Sequence, residues 1–220
     1  MLLLLCVLGF LLLSFLGLVF SGTMGQFLPA LLFMILPLAG LAWIDKRCIP
    51  AIFKPLNGRA LLLIPAFTLL NLVVSIVVAL VIYQFAGASA NPAIGLIREF
   101  SNLEFVLFLA RTLPQLIGEE LVTILPFLAL LSYLVRNKGW SKKSAVIVSW
   151  IVTALIFGAL HLPTYEWNVA QSLVIIGSAR LVLTAAYLAT GNIWVSTGAH
   201  VLSDWVIFLI AFLATEIEMP

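Results

Sequence analysis

Seven stretches of this 220-residue chain are apolar over roughly the length of a membrane crossing: residues 2–20, 27–44, 61–85, 105–135, 144–160, 171–188 and 194–214. A helix needs about 20 mostly apolar residues to cross the hydrocarbon core, and in lipid a backbone must satisfy its own polar groups. The expected fold is therefore all-α, a polytopic membrane helix bundle of about seven spans, with a range of six to eight. Composition agrees: 64% of residues are hydrophobic and 9% charged, against about 25% charged in soluble domains. The run 2–20 has no basic segment before it and is longer than a signal-peptide core, so it reads as the first span. Cys6 and Cys48 lie far apart and suggest no disulfide framework.

Lys46, Arg47, Lys54 and Arg59 separate the second and third stretches, and Arg136, Lys138, Lys142 and Lys143 separate the fourth and fifth. Seven crossings put both connections on one side, which basic residues assign to the cytoplasm. The amino terminus is then cytoplasmic, the tail 216–220 is on the far side, and the expected location is the cell membrane. The fourth stretch is long for one straight crossing: its 31 residues would reach about 46 Å. Pro114 and Pro126 are expected to kink it, or residues 105–117 form a separate interfacial or re-entrant piece. The only long connection, residues 86–102, divides one integral membrane domain into amino-terminal helices (1–103) and a core with catalytic-type residues (104–220).

Five ionisable residues interrupt those apolar runs: Glu119 and Glu120, His161, then His200 and Asp204. A charge at bilayer depth costs at least about 2.5–3.5 kcal/mol on insertion scales, so such residues mark functional sites by default. The two histidines are the chain's whole complement. Glu119 and Glu120 point about 100° apart on a helix, so one can face a cavity while the other makes a structural bond. The plainer alternative is a helix start, where acids favour the first turn after Gly118. His161 closes Phe157-Gly158-Ala159-Leu160-His161, just before Pro163, and its plainer alternative is an interfacial cap. His200 and Asp204 stand four apart, on one helical face. The aspartate can fix the histidine's tautomer, or the pair can hold substrate, metal or a neighbouring helix. Trp150, Tyr165 and Trp167 read as interfacial belt residues.

Together and in this order, the three motifs resemble the CPBP family, also called the CAAX-protease and bacteriocin-processing or Abi family. That family has a paired glutamate with a downstream arginine, then Phe-x-x-x-His, then His-x-x-x-Asn or Asp. Here Glu119-Glu120, Phe157 to His161, and His200 to Asp204 supply the pattern, and residues 190–194 also resemble the family. The resemblance covers about residues 118–205. The first three spans fit only the family's general layout. One position departs: Ile124 stands where the family has arginine. Arg180 and Arg111 are the candidate replacements, although Arg111 has a local partner available in Glu104.

The resemblance implies a glutamate-type intramembrane endopeptidase. Glu119 would activate water with help from His161, His200 and Asp204 would hold the scissile carbonyl, and Glu120 would support the site with Arg180 in reserve. No cofactor is implied. The expected partners are membrane lipid and a membrane-associated protein or peptide substrate, with no nucleic acid. A zinc site using His161, His200 and Glu119 is the closest alternative. A non-proteolytic bacteriocin-immunity or binding protein is a second, favoured by Ile124, and a proton-coupled transporter a third. Rise per residue sets a further expectation. Glu119 and His161 each lie about 25 Å from the cytoplasmic ends of their spans, but His200 only about 10 Å. These depths agree only if the last span starts below the surface, with residues 190–193 inside the protein.

Overall fold

The computed structural model describes residues 1–20 and 22–218. Of the tail expected on the far side, Met219 and Pro220 lie outside the described residues. Seven helices are long and apolar enough to cross a membrane, and no strand occurs among the described residues. Numbering these seven alone, they are α1 (Leu2–Val19), α2 (Phe27–Ile44), α3 (Gly58–Ala86), α4 (Asn102–Arg136), α5 (Lys142–Leu160), α6 (Gln171–Thr190) and α7 (Ile193–Glu218). The protein is an integral membrane helix bundle. Its outward faces are apolar as lipid requires: Leu4, Leu18, Leu62 and Phe85 are largely exposed.

The fourth stretch is one continuous helix of 35 residues that passes through Pro114 and Pro126, so the separate 105–117 piece does not exist. Its start is fixed by a capping box: the Ser101 backbone N–H donates to Glu104 Oε2 at 2.9 Å, and Glu104 N–H donates to Ser101 Oγ at 3.4 Å. Glu104 is thereby occupied at the cap and makes no pair with Arg111. That expectation fails because Arg111 turns inward instead, toward Gln115.

α4 is the axle of the bundle, packed against α2, α5 and α7, while α3 packs against α6 and α7. Its lower half carries the main apolar core: Leu121, Ile124, Leu125 and Phe127 meet Leu41, Tyr187 and Ile193. A second cluster at its other end joins Phe105 and Phe108 to Phe208 and Phe212, with the Phe105 and Phe212 rings stacked at 4.3 Å. Two glycines allow close approach. A Cβ on Gly118 would meet the Phe33 ring at 2.6 Å, and one on Gly158 would run into the Ser172 carbonyl oxygen. The second contact draws α5 against the π turn Gln171–Ile176 that opens α6.

The end of α6 explains the depth mismatch. Gly191 takes a left-handed φ of 58°, reversing the chain within the protein. Asn192 is 4% exposed; its Oδ1 accepts the Lys54 backbone N–H at 3.2 Å and its Nδ2 donates to the Lys54 carbonyl at 3.0 Å. α7 therefore begins at a buried clamp, with Ile193 fully enclosed. Its first turns lie level with the middle of α4.

Candidate active site

Glu119 and Glu120 leave α4 in different directions, as adjacent helical residues must. Glu120 points into the bundle and is fully buried. Arg180 of α6, also fully buried, donates to it twice: Nη1 to Oε1 at 2.6 Å and Nη2 to Oε2 at 2.9 Å. The guanidinium is fixed further by Nε to Thr184 Oγ1 at 3.3 Å and by the Phe157 ring, 5.3 Å from its Cζ. Ile124, at the position of the family arginine, is buried in the apolar core. The cation beside Glu120 thus comes from another helix.

His200 of α7 completes this layer. Its Nδ1 lies 3.0 Å from Glu120 Oε1. An ionised carboxylate only accepts, so Nδ1 carries the hydrogen and Nε2 is the nitrogen left for chemistry. Nε2 stands 3.8 Å from Glu119 Oε2 and 3.8 Å from Asp204 Oδ2. With three N–H groups directed at it and no place in the lining of either cavity, Glu120 is held as a structural partner.

Glu119 is oriented differently. Gln115, one turn earlier, donates Nε2–H to Glu119 Oε1 at 3.0 Å and accepts from Arg111 Nη1 at 3.2 Å. The Arg111 guanidinium also lies 5.0 Å over the Phe108 ring. Glu119 keeps 13% of its side chain exposed and faces the cavities on both sides of it.

His161 caps the end of α5, and its Nδ1 lies 2.8 Å from the Phe157 carbonyl oxygen. That oxygen only accepts, so Nδ1 is the donor and Nε2 remains available. Phe157 packs on both histidines, with ring centroids 4.6 Å from His161 and 6.5 Å from His200.

Glu119, His161, His200 and Asp204 all line one cavity of about 460 Å³ between α3, α4, α5, α6 and α7. A smaller cavity of about 260 Å³ lies on the α1 and α2 side and shares Gln115, Glu119, Phe157, His161 and Thr164 with the first. Glu119 and His161 therefore form the wall between two spaces. Tyr165, expected at the membrane interface, is buried and lines the main cavity together with Asn91. Trp150 is no belt residue either: its indole N–H donates to the Leu181 carbonyl at 3.0 Å, clasping α5 to α6. Trp167 does stay exposed.

Reasoning from sequence missed Gln115, Asn71 and Tyr165. For Gln115 a signal existed, since Arg111, Gln115 and Glu119 repeat at intervals of four on one helical face. For Asn71 there was a weaker one, an amide inside the otherwise apolar third span.

Among the described residues no group of three or more His, Cys, Asp or Glu side chains is arranged to hold a metal ion. Both histidines direct Nδ1 at a protein oxygen and leave Nε2 for the cavity, with His200 Nε2 3.8 Å from the nearest Glu119 oxygen.

Residues 101–206 match the family model of the type II CAAX prenyl endopeptidase Rce1-like proteins. No curated protein and no solved structure gives a significant match.

Proposed function

We propose that this chain, which matches the Rce1-like type II CAAX prenyl endopeptidase model over residues 101–206, is a glutamate-type intramembrane endopeptidase acting on a membrane-associated protein or peptide. The family makes it a protease embedded in lipid. The observation that carries the mechanism is the convergence of Glu119, His161, His200 and Asp204 on one cavity, above the buried Glu120–Arg180 pair.

In this reading a water molecule sits between Glu119 and His161. His161 Nε2 accepts one of its hydrogens and orients it, while Glu119 takes the other as the oxygen attacks the scissile carbonyl carbon. The C–O bond forms, and negative charge moves to the carbonyl oxygen. In this step His200 is the imidazolium: its Nδ1–H is held by Glu120, and its Nε2–H faces that oxyanion. A donor so placed is worth about 10²–10³ in rate. Asp204, beside His200, orients Nε2–H and accepts from the substrate. Glu119 then returns its proton to the leaving nitrogen as the C–N bond breaks. The products are a new carboxyl terminus and a free amine.

The amino terminus is proposed to be cytoplasmic in the cell membrane, on the strength of the two basic connections. The test is proteolysis by purified protein in detergent against a library of apolar peptides, beside Glu119→Gln. Product formation that needs Glu119 supports the reading. Cleavage unaffected by that change contradicts it.

A further inference from the structure

A separate cavity of about 210 Å³ lies away from the catalytic groups, at the basic end of the bundle. Its wall comes from the connection between α2 and α3, the first turn of α3, and the reversal between α6 and α7. Lys54 and Arg59 line it with Asn57, Thr190 and Asn192, and no acidic side chain among the described residues does. Arg47, in the same connection, is neutralised by Asp45 at 2.9 Å. Lys54 and Arg59 have no such partner: among the described residues neither side chain forms an ion pair or a hydrogen bond. The cavity is nonetheless firmly built. Asn192 holds the Lys54 backbone by both its N–H and its carbonyl, at 3.2 and 3.0 Å. A Cβ on Gly191 would meet Lys54 Nζ at 2.9 Å, so the ammonium lies over the last turn of α6, where a helix end favours a cation.

We propose that this cavity binds a phosphate group, carried by an anionic lipid headgroup or by a free phosphate. Two like charges on one cavity repel, and an anion between them removes that cost. A guanidinium pairs two phosphate oxygens at once, and an ammonium adds a point charge. Basic pockets between membrane helices take such headgroups. The space is smaller than the roughly 300–1,000 Å³ of sites that enclose whole small molecules, and it is several times the share of one water, about 30 Å³. It therefore suits a headgroup whose acyl chains stay outside. Leu61 and Leu62, next to Arg59 on α3, are exposed and offer those chains an apolar surface. A bound phosphate ties the start of α3 to the Asn192 clamp, and so to the helix that carries His200.

The test is thermal unfolding of the purified protein in a neutral detergent. It is titrated with phosphatidylglycerol, with phosphatidylcholine, whose headgroup carries no net charge, or with inorganic phosphate. The expected result is that phosphatidylglycerol raises the melting temperature about 3 °C or more above phosphatidylcholine. A matching rise with inorganic phosphate shows that the free anion suffices, and a rise with phosphatidylglycerol alone identifies the lipid as the source. Lys54→Gln combined with Arg59→Gln removes the rise. Lys142→Gln combined with Lys143→Gln, at the other basic connection, preserves it. Should the first double variant fail to fold, Arg59→Gln alone, at an exposed and unpaired side chain, is expected to lose at least about half of the rise. Three results overturn the proposal: no rise with either anion beyond the phosphatidylcholine control, a rise that survives loss of the Lys54 and Arg59 charges, or a rise lost equally when Lys142 and Lys143 are changed.

Discussion

Arg180 on α6 and Glu120 on α4 form a two-bond ion pair, 2.6 and 2.9 Å, with no exposed surface on either side chain. Burying two charges is costly, and removing one partner leaves the other uncompensated, typically at about 3–5 kcal/mol. Arg180→Met is therefore expected to lower the melting temperature in detergent sharply. Combined with Glu120→Gln it should cost less than the sum of the two single changes, because the second change discards a charge already stranded. Strict additivity would contradict the coupling.

The two adjacent glutamates are expected to separate by readout. Glu120 holds α6 and α7 to α4 through Arg180 and His200, so Glu120→Gln should lower thermal stability and reduce activity in part. Glu119 faces the cavity with Gln115 as its donor, so Glu119→Gln should change unfolding free energy by less than about 1 kcal/mol. Melting curves of both variants decide this, and a reversed order of stability would contradict the division.

Gly158→Ala is expected to destabilise the protein by about 1–3 kcal/mol, the usual cost of overpacking. The new Cβ would collide with the Ser172 carbonyl, a backbone atom that cannot swing away. Because His161 follows three residues later on α5, the same change should also reduce cleavage per folded molecule. Unchanged stability would show that α5 and α6 can part without loss.

Chelation is expected to leave cleavage intact. The proposed mechanism assigns water activation to Glu119 and His161, and the described residues contain no clustered metal-ligand set. Activity measured before and after prolonged dialysis against a strong zinc chelator checks this. Loss restored by added zinc would contradict a metal-free mechanism.

Much of this arrangement was legible in the chain because lipid makes polar residues conspicuous. Seven apolar runs specified seven crossings, within a few residues at their ends. Glu119, His161, His200 and Asp204 stood out as charges in apolar sequence. What escaped were relationships set by packing. Tyr165 reads as an interface residue by type, yet the turn after Pro163 folds it under the cavity. The shallow depth assigned to His200 assumed that α7 begins at the surface, whereas Asn192 clamps Lys54 from inside. α4 looked too long for one crossing, with Pro114 and Pro126 as possible breaks, but packing on α2, α5 and α7 carries the helix through both prolines. The helix opposite Glu120 was likewise invisible in spacing. Only the folded chain sets Arg180 against it.

The central claim is that Glu119 activates the water that cuts the substrate. It is tested most directly by peptide cleavage in ¹⁸O-labelled water, comparing the parent with Glu119→Gln at equal folded concentration. The account predicts one ¹⁸O in the new carboxyl terminus with the parent, and a rate reduced at least about a hundredfold in the variant. A variant that incorporates ¹⁸O at the parental rate would contradict it.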